Sequence, residues 1–241
     1  MTTEIIFSFL TLSLLEIVLG IDNLIFIALV VQKLPKKFRD KARYIGLSMA
    51  LIMRILMMLG MAWIMSLTKP IFSILANDIS VRDLLLLLGG LFLIVKATLE
   101  MHADIANKHE EKNIKVKQFF ISAIIQIVLI DLVFSFDSVI TAIGMTTNIP
   151  VIIAAMTVAM VVMLAASGYI SDFLKYNPTF KILALSFILM IGTLLIAEGF
   201  GFHVPRGYIY FAFTFSLFVE TMNSLLRRAK KRAKSDDYVE Y

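Results

Sequence analysis

The sequence predicts an all-α integral membrane protein of about seven transmembrane helices, with residues 1–241 forming a single transmembrane domain. Apolar residues make up 59% of the 241 positions, and the mean hydropathy is +0.87. Only 17% of the residues are charged, against about a quarter in soluble domains. Apolar runs close to the roughly 20 residues that cross a bilayer recur along the whole chain. This composition excludes a soluble globular domain.

The hydropathy pattern predicts seven helices, separated by short polar connections. The five prolines all fall between or at the edges of these helices, where a missing amide proton is best tolerated. The first run follows no basic segment or cleavage site of a signal peptide, so we expect it to remain as a transmembrane helix. The third run is short, and we expect polar residues to extend it, with Asp83 at its start and Lys96 near its end. The predicted helices comprise residues 5–31, 44–67, 84–98, 119–145, 151–171, 182–200 and 208–226.

Basic residues alternate between the two sides of the predicted membrane. The first, third and fifth connections and the tail 227–241 carry six, four, two and six Lys or Arg, whereas the other connections carry two, none and one. Because Lys and Arg are retained on the cytoplasmic side, the N-terminus is predicted outside and the C-terminus in the cytoplasm of a bacterial-type inner (plasma) membrane. The basic cytoplasmic tail is interpreted as a topology determinant beside anionic lipid. No nucleic-acid partner is expected.

Two segments of the chain resemble each other. Residues 16–23 align with residues 131–138 at an offset of 115 positions, acid on acid, and the same offset places Pro35 on Pro150. Three helices separate the equivalent segments, so the two copies would cross the membrane in opposite directions, as in many transporters. The sequence therefore predicts two inverted three-helix repeats at about residues 5–100 and 117–200, with the last helix 208–226 outside them.

Four carboxylates lie inside the apolar runs: Glu16, Asp22, Asp131 and Asp137. Each would cost roughly 2.5 to 3.5 kcal/mol at the centre of a bilayer. The only basic residues within or near the spans are Arg54 and Lys96. Arg54 is expected to pair with one of the acids, so a cation, protons or water must compensate the others.

The two acids of each segment are six positions apart, about 120° around a continuous helix. Gly20 and Ser135 stand between them, and we predict interrupted helices at both positions. Brought together, the acids would join other oxygen ligands in a hard set suited to Mg²⁺, Ca²⁺ or Mn²⁺, a choice that the ligands leave open. The alternative is a network of buried hydrogen bonds between helices. The candidate metal ligands are Glu16, Asp22, Asn23, Asp131, Asp137 and Ser138.

Other polar residues carry weaker signals. Glu198 and Glu220 either pack locally or line a transport pathway. His102 and His109 lie in a charged connection without the HExxH zinc motif, so solvated side chains are expected there, with a weak peripheral metal site as the alternative. The chain has no Cys, no P-loop and no GxGxxG or GxSxG pattern. We therefore expect neither a cofactor nor an enzyme, and an intramembrane hydrolase remains a minor alternative.

The segments LEIVLGIDNLIFIALVVQKLP and DLVFSFDSVITAIGM resemble the two signature segments of the TerC family, named for tellurite resistance and related to the LysE exporter superfamily. The resemblance covers nearly the whole chain, including LLLLGGLFLIVKAT. It implies manganese export, with the six candidate ligands above as the metal site. By the same comparison, the chain is expected to lack the cytoplasmic regulatory domains of longer relatives.

The predicted function is a secondary transporter that exports a divalent metal cation, manganese being the first candidate, in exchange for protons. Carboxylates crowded in a low-dielectric site hold protons more tightly, so metal binding would displace protons. The alternative is a non-transporting membrane scaffold or assembly factor linked to tellurite or envelope stress resistance. The expected partners are the divalent ion and the lipid bilayer, and no pattern in the sequence indicates a homo-oligomer.

Overall fold

Eight helices and one short hairpin form the fold in the computed structural model, which describes residues 2–60, 70–74, 77–106, 116–146, 148–202 and 205–236. The hairpin lies between the third and fourth helices. The elements in chain order are α1 (Thr2–Leu19), α2 (Ile21–Gln32), α3 (Lys36–Leu59), β1 (Pro70–Ile74), β2 (Asn77–Ser80), α4 (Val81–Ile105), α5 (Val116–Met145), α6 (Ile149–Tyr176), α7 (Pro178–Gly199) and α8 (Arg206–Asp236).

The helices have the length and surface of membrane spans. Six of those described are long and apolar enough to cross a bilayer, and α1 and α2 together form a bent seventh candidate. Large apolar side chains face outward, among them Phe7, Tyr169 and Phe211, which are 72%, 81% and 73% exposed. Such a surface is stable against lipid and would aggregate in water. The predicted all-α membrane protein of about seven spans is confirmed.

The third predicted span is longer than its apolar run. β1 and β2 pair antiparallel, a hairpin that hydropathy did not predict, and Ser80 at its end caps α4. The Asp83 amide donates to the Ser80 hydroxyl at 3.3 Å, and the Ser80 amide donates to the Asp83 carboxylate at 2.9 Å. This reciprocal capping box satisfies two amides at the helix start. The expected polar extension with Asp83 and Lys96 is therefore confirmed, and α4 has 25 residues.

Two other spans differ from their predicted bounds by eight residues or more at one end. α3 begins at Lys36 rather than at residue 44, because the basic residues of the first connection form the helix's first two turns. Its predicted end at residue 67 lies outside the described residues. α8 continues past residue 226 to Asp236, since the Lys, Arg and Ala residues of the tail are good helix formers.

The pairing of the helices stays the same when each helix is replaced by its equivalent in the other predicted half. α3 packs on α5, α1 and α2 pack on α6, and α4 packs on α7. At the α4–α7 crossing, a Cβ added to Gly90 would lie 2.6 Å from the Gly192 carbonyl oxygen, and one added to Gly192 would lie 2.9 Å from the Gly90 carbonyl oxygen. Small residues allow such close approach between membrane helices. The inverted repeat stays a prediction with which this pairing agrees.

We expect Gly90→Ala to lower the free energy of unfolding by about 1 to 3 kcal/mol, because the new methyl group must push the two helix backbones apart. Gly144→Ala is the matched control, since a Cβ at Gly144 meets nothing within 4 Å. There the loss of glycine flexibility within a helix stabilises the protein by about 0.5 to 1 kcal/mol. Denaturant titration in detergent measures both values. Equal effects of the two changes would contradict the close crossing.

Candidate functional site

The first acidic segment is interrupted, as predicted. α1 ends at Leu19, α2 begins at Ile21, and the two helices are bent by 45°. A Cβ at Gly20 would lie 2.6 Å from the Met163 sulfur of α6 and 2.9 Å from the Glu16 carbonyl oxygen. A larger residue at this position would therefore displace the Met163 side chain and crowd the Glu16 carbonyl oxygen. The bend separates Glu16, in the last turn of α1, from Asp22 and Asn23 in the first turn of α2.

The second predicted interruption is wrong. α5 continues from Val116 to Met145 without a break at Ser135. The Ser135 hydroxyl donates to the Asp131 carbonyl oxygen one turn earlier, and it lies 3.0 Å from the Asp131 carboxylate. This back-bonding satisfies the hydroxyl within the helix. Serine also has a Cβ and gains less from an irregular backbone than glycine does.

A buried charged cluster forms where α1, α2, α3 and α5 meet, and Arg54 of α3 lies at its centre. Arg54 donates twice to Asp131, from Nε to Oδ2 at 2.9 Å and from Nη2 to Oδ1 at 2.7 Å. Its Nη1 donates to Glu16 Oε2 at 2.7 Å. The three side chains are 3%, 1% and 2% exposed for Arg54, Glu16 and Asp131. Arg54 thus pairs with two acids, whereas the sequence predicted one.

Polar side chains on both sides of the bend complete the cluster. Asn23 Nδ2 donates to Asp131 Oδ1 at 3.0 Å. Ser138 Oγ donates to the Ser135 carbonyl oxygen at 3.3 Å and lies beside the Glu16 carboxyl group. The Asn23–Asp131 hydrogen bond joins positions 108 residues apart in the sequence. The structure therefore brings Glu16, Asn23, Asp131 and Ser138 together, as the candidate ligand set requires.

Two acceptor atoms of this cluster have no donor. Glu16 Oε1 and Asn23 Oδ1 are buried, and neither accepts a hydrogen bond from any residue that the structure describes. A buried acceptor without a donor costs about 1 to 3 kcal/mol, so native proteins leave few of them. Both atoms are hard oxygens of the kind that binds Mg²⁺, Ca²⁺ or Mn²⁺. Each atom can therefore take one further partner, either a hydrogen-bond donor or a hard cation.

Asp22 and Asp137 are the two remaining predicted ligands. Asp22 is 5% exposed and lines a cavity of about 10 Å³ beside Phe134 and Tyr210. The three hydrogen bonds that Arg54 donates to Glu16 and Asp131 do not include it. The side chain of Asp137 lies outside the described part of the chain. Among the described side chains, no three from Asp, Glu, His and Cys form a group that could hold a metal ion by themselves.

The other polar residues of interest occupy separate positions. Glu198 is buried near the end of α7. Glu220 lies between α7 and α8, in a cavity of about 420 Å³. His102 is exposed in the last turn of α4, and His109 lies outside the described residues. Lys96 was not assigned a role from the sequence, and it lines a cavity of about 320 Å³ that only the packing of four helices reveals.

Comparison with known proteins gives one family. The sequence model of the family described as "Integral membrane protein TerC family" matches residues 1–235. The chain is 51% identical over 220 residues to the UPF0053 inner membrane protein YoaE of Escherichia coli, a match that includes 91% of this chain and 42% of YoaE. The chain thus spans less than half the length of that relative. No solved structure matches the chain.

Two shorter relatives match along nearly their whole length. A UPF0053 protein of Haemophilus influenzae is 48% identical over 225 residues, which include 93% of this chain and 95% of that protein. The UPF0053 inner membrane protein YgdQ of Escherichia coli is 50% identical over 220 residues, which include 91% of this chain and 92% of YgdQ. Transmembrane domains of this size thus occur both alone and within longer proteins.

Proposed function

The chain belongs to the TerC family of integral membrane proteins, and on that premise we propose that it is a secondary transporter that exports a divalent metal cation across the inner membrane. Manganese is the first candidate, because the family resemblance implies it. The observation that carries the proposal is that two buried oxygens, Glu16 Oε1 and Asn23 Oδ1, accept no hydrogen bond from any described residue. Their cluster is buried and contains more negative than positive charge.

The charge of the buried site favours exchange with protons. Arg54 carries one positive charge and pairs with both Glu16 and Asp131. Asp22, six positions after Glu16 in the sequence, is also buried. Asp137 is a fourth acid and belongs to the same span as Asp131. One dication or two protons would neutralise the same amount of this negative charge. Because net charge in hydrocarbon is costly, exchange of one dication for two protons keeps the site equally stable in both loaded states.

The bend between α1 and α2 supports movement of an ion through the cluster. Discontinuous helices at the midplane place polar backbone and side-chain groups around the substrates of many transporters. Arg54 provides a tethered cation that holds Glu16 and Asp131 together when no ion is bound. Rocking of the two predicted halves would then expose the cluster to one side at a time. The outward direction follows from the family resemblance.

Proton-coupled flux in proteoliposomes tests the proposal. We expect Mn²⁺ to move into vesicles that contain the full chain when the proton concentration is higher inside than outside. The outward flow of protons then drives the uptake of Mn²⁺. Collapsing the gradient with a protonophore should reduce accumulation to the level reached by equilibration. Vesicles without protein are the control. Mn²⁺ movement no faster than in those vesicles would remove the transport function.

A second candidate is a membrane scaffold, and the satisfied guanidinium of Arg54 favours it. Three of the hydrogen bonds in the cluster tie α3 to α1 and α5, as a structural lock between helices would. A scaffold of this kind needs no metal affinity. Binding of Mn²⁺ to the purified chain that is lost on Asp22→Asn would therefore exclude it, because this change leaves the three Arg54 hydrogen bonds in place.

A further inference from the structure

A cavity of about 320 Å³ opens among α2, α4, α5 and α7, away from the Arg54 cluster. Its lining includes Lys33 at the end of α2, Glu100 near the end of α4 and Gln118 near the start of α5. These helix ends adjoin the strongly basic connections, which the charge pattern predicts to be cytoplasmic. The volume lies within the range of small-molecule sites. The cavity is therefore large enough for part of a ligand at the membrane boundary.

The lysines around this cavity outnumber the acids by one. Lys33 forms an ion pair with Glu100. Lys181, at the start of α7, pairs with Asp104 at 2.7 Å and with Glu100 at 3.5 Å. Lys96, one turn before Glu100 on α4, makes no ion pair with any described residue. Around the cavity, three lysines thus face two acids, which leaves a net charge of +1.

Lys96 is set back from the end of its helix. It lies nine positions before the end of α4, about 14 Å along the helix axis, and its side chain is half-buried. An unpaired lysine at such a depth in a span is costly. A monoanion bound in the cavity would offset this cost.

The walls of the cavity indicate an amphipathic molecule. One wall is apolar, with Phe26, Leu29 and Ile188 among its residues. α5 contributes Gln118, Ser122 and Gln126 to the lining at intervals of four positions, and Gln126 Nε2 donates to Ser122 Oγ at 2.8 Å. This polar stripe is about 12 Å long. A charged, hydrogen-bonding head and an apolar chain would each find a matching wall.

We propose that this cavity binds an anionic phospholipid, with the phosphate beside Lys96 and an acyl chain along the apolar wall. Basic pockets between membrane helices on the cytoplasmic side recognise anionic headgroups. The bilayer supplies such lipids at high concentration next to the opening. A divalent cation would meet the excess positive charge of Lys33, Lys96 and Lys181, so the cavity is not a second cation site. The inference does not depend on the proposed transport function.

Lipid retention in native mass spectrometry tests this site. The full chain is reconstituted in nanodiscs of phosphatidylcholine with a minor fraction of phosphatidylglycerol, and the lipids that stay bound after release are counted. We expect the wild type to retain phosphatidylglycerol in preference to phosphatidylcholine. Lys96→Gln should lower that preference about fivefold, the effect of roughly 1 kcal/mol per lysine. Lys96→Arg should keep it, which separates loss of charge from loss of folding.

Lys175→Gln is the matched control. Lys175 is exposed in the last turn of α6, at the same predicted membrane side, and its ammonium lies 5.4 Å from the centre of the Tyr176 ring rather than in the cavity. Equal retention of phosphatidylglycerol by Lys96→Gln and Lys175→Gln would overturn the proposal. Displacement of the bound lipid by inorganic phosphate at millimolar concentration would also overturn it, since the ligand would then be a soluble anion.

Discussion

Arg54→Met is expected to lower the free energy of unfolding by about 3 to 5 kcal/mol, the usual effect of removing one partner from a buried ion pair. Glu16 and Asp131 are 1% and 2% exposed, so neither carboxylate can turn to water. Methionine fills much of the arginine's volume, which keeps the loss of packing small. The measurement is unfolding in mixed detergent micelles, with Arg227→Met as the control because Arg227 is exposed.

A triple variant of the same cluster tests whether the unpaired carboxylates cause this loss of stability. Combining Arg54→Met with Glu16→Gln and Asp131→Asn removes all three charges and should restore most of the lost stability, because an apolar or neutral replacement of a complete buried charge group is often neutral. If Arg54→Met destabilises no more than Arg227→Met, the guanidinium does not compensate these carboxylates. If the triple variant is less stable than Arg54→Met, the loss comes from packing and not from charge.

Asp22→Asn is expected to weaken Mn²⁺ binding to the purified chain by at least about tenfold, since even groups that only orient a metal ligand change affinity by 10 to 100-fold. Asp22 is the most informative acid, because it is buried and lies outside the three hydrogen bonds that Arg54 donates to Glu16 and Asp131. Its loss should therefore change metal affinity with little effect on the Arg54 cluster. Asp137→Asn, at the equivalent position of the predicted repeat, should act in the same way.

Asp172→Asn is the control for these changes, since Asp172 is an exposed acid near the end of α6. Isothermal titration with Mn²⁺ measures all three variants against the wild type. If Asp22→Asn and Asp172→Asn have the same affinity as the wild type, the intramembrane carboxylate does not bind the ion. The cluster would then act only as the scaffold's lock between helices.

The sequence predicted those features that depend on local chemistry. The bend at Gly20 follows from a glycine between two acids in an apolar run, and the burial of Glu16 and Asp131 follows from their place in such runs. The capping box of Ser80 and Asp83 was also readable, because a serine three positions before an acid marks a helix start. Recognising it would have set the start of α4 correctly.

The features that sequence reasoning missed depend on long-range packing. Ser135 resembles Gly20 in size, but its hydroxyl bonds back to Asp131 and keeps α5 continuous. The double pairing of Arg54 needs α1, α3 and α5 to meet at one depth, which no local pattern fixes. Lys96 became informative only when the packing of α2, α5 and α7 enclosed a cavity around it.

The central claim is that oxygens from both predicted halves bind one dication, and the number of Mn²⁺ ions bound per chain tests it most directly. Equilibrium dialysis of the purified protein, with metal measured by mass spectrometry, gives this number for the wild type, Asp22→Asn and Asp137→Asn. We predict one ion per chain in the wild type and a large loss of binding when either half is changed. The claim would be contradicted if the wild type bound two ions and each variant lost only one of them. It would also be contradicted if the wild type bound no ion.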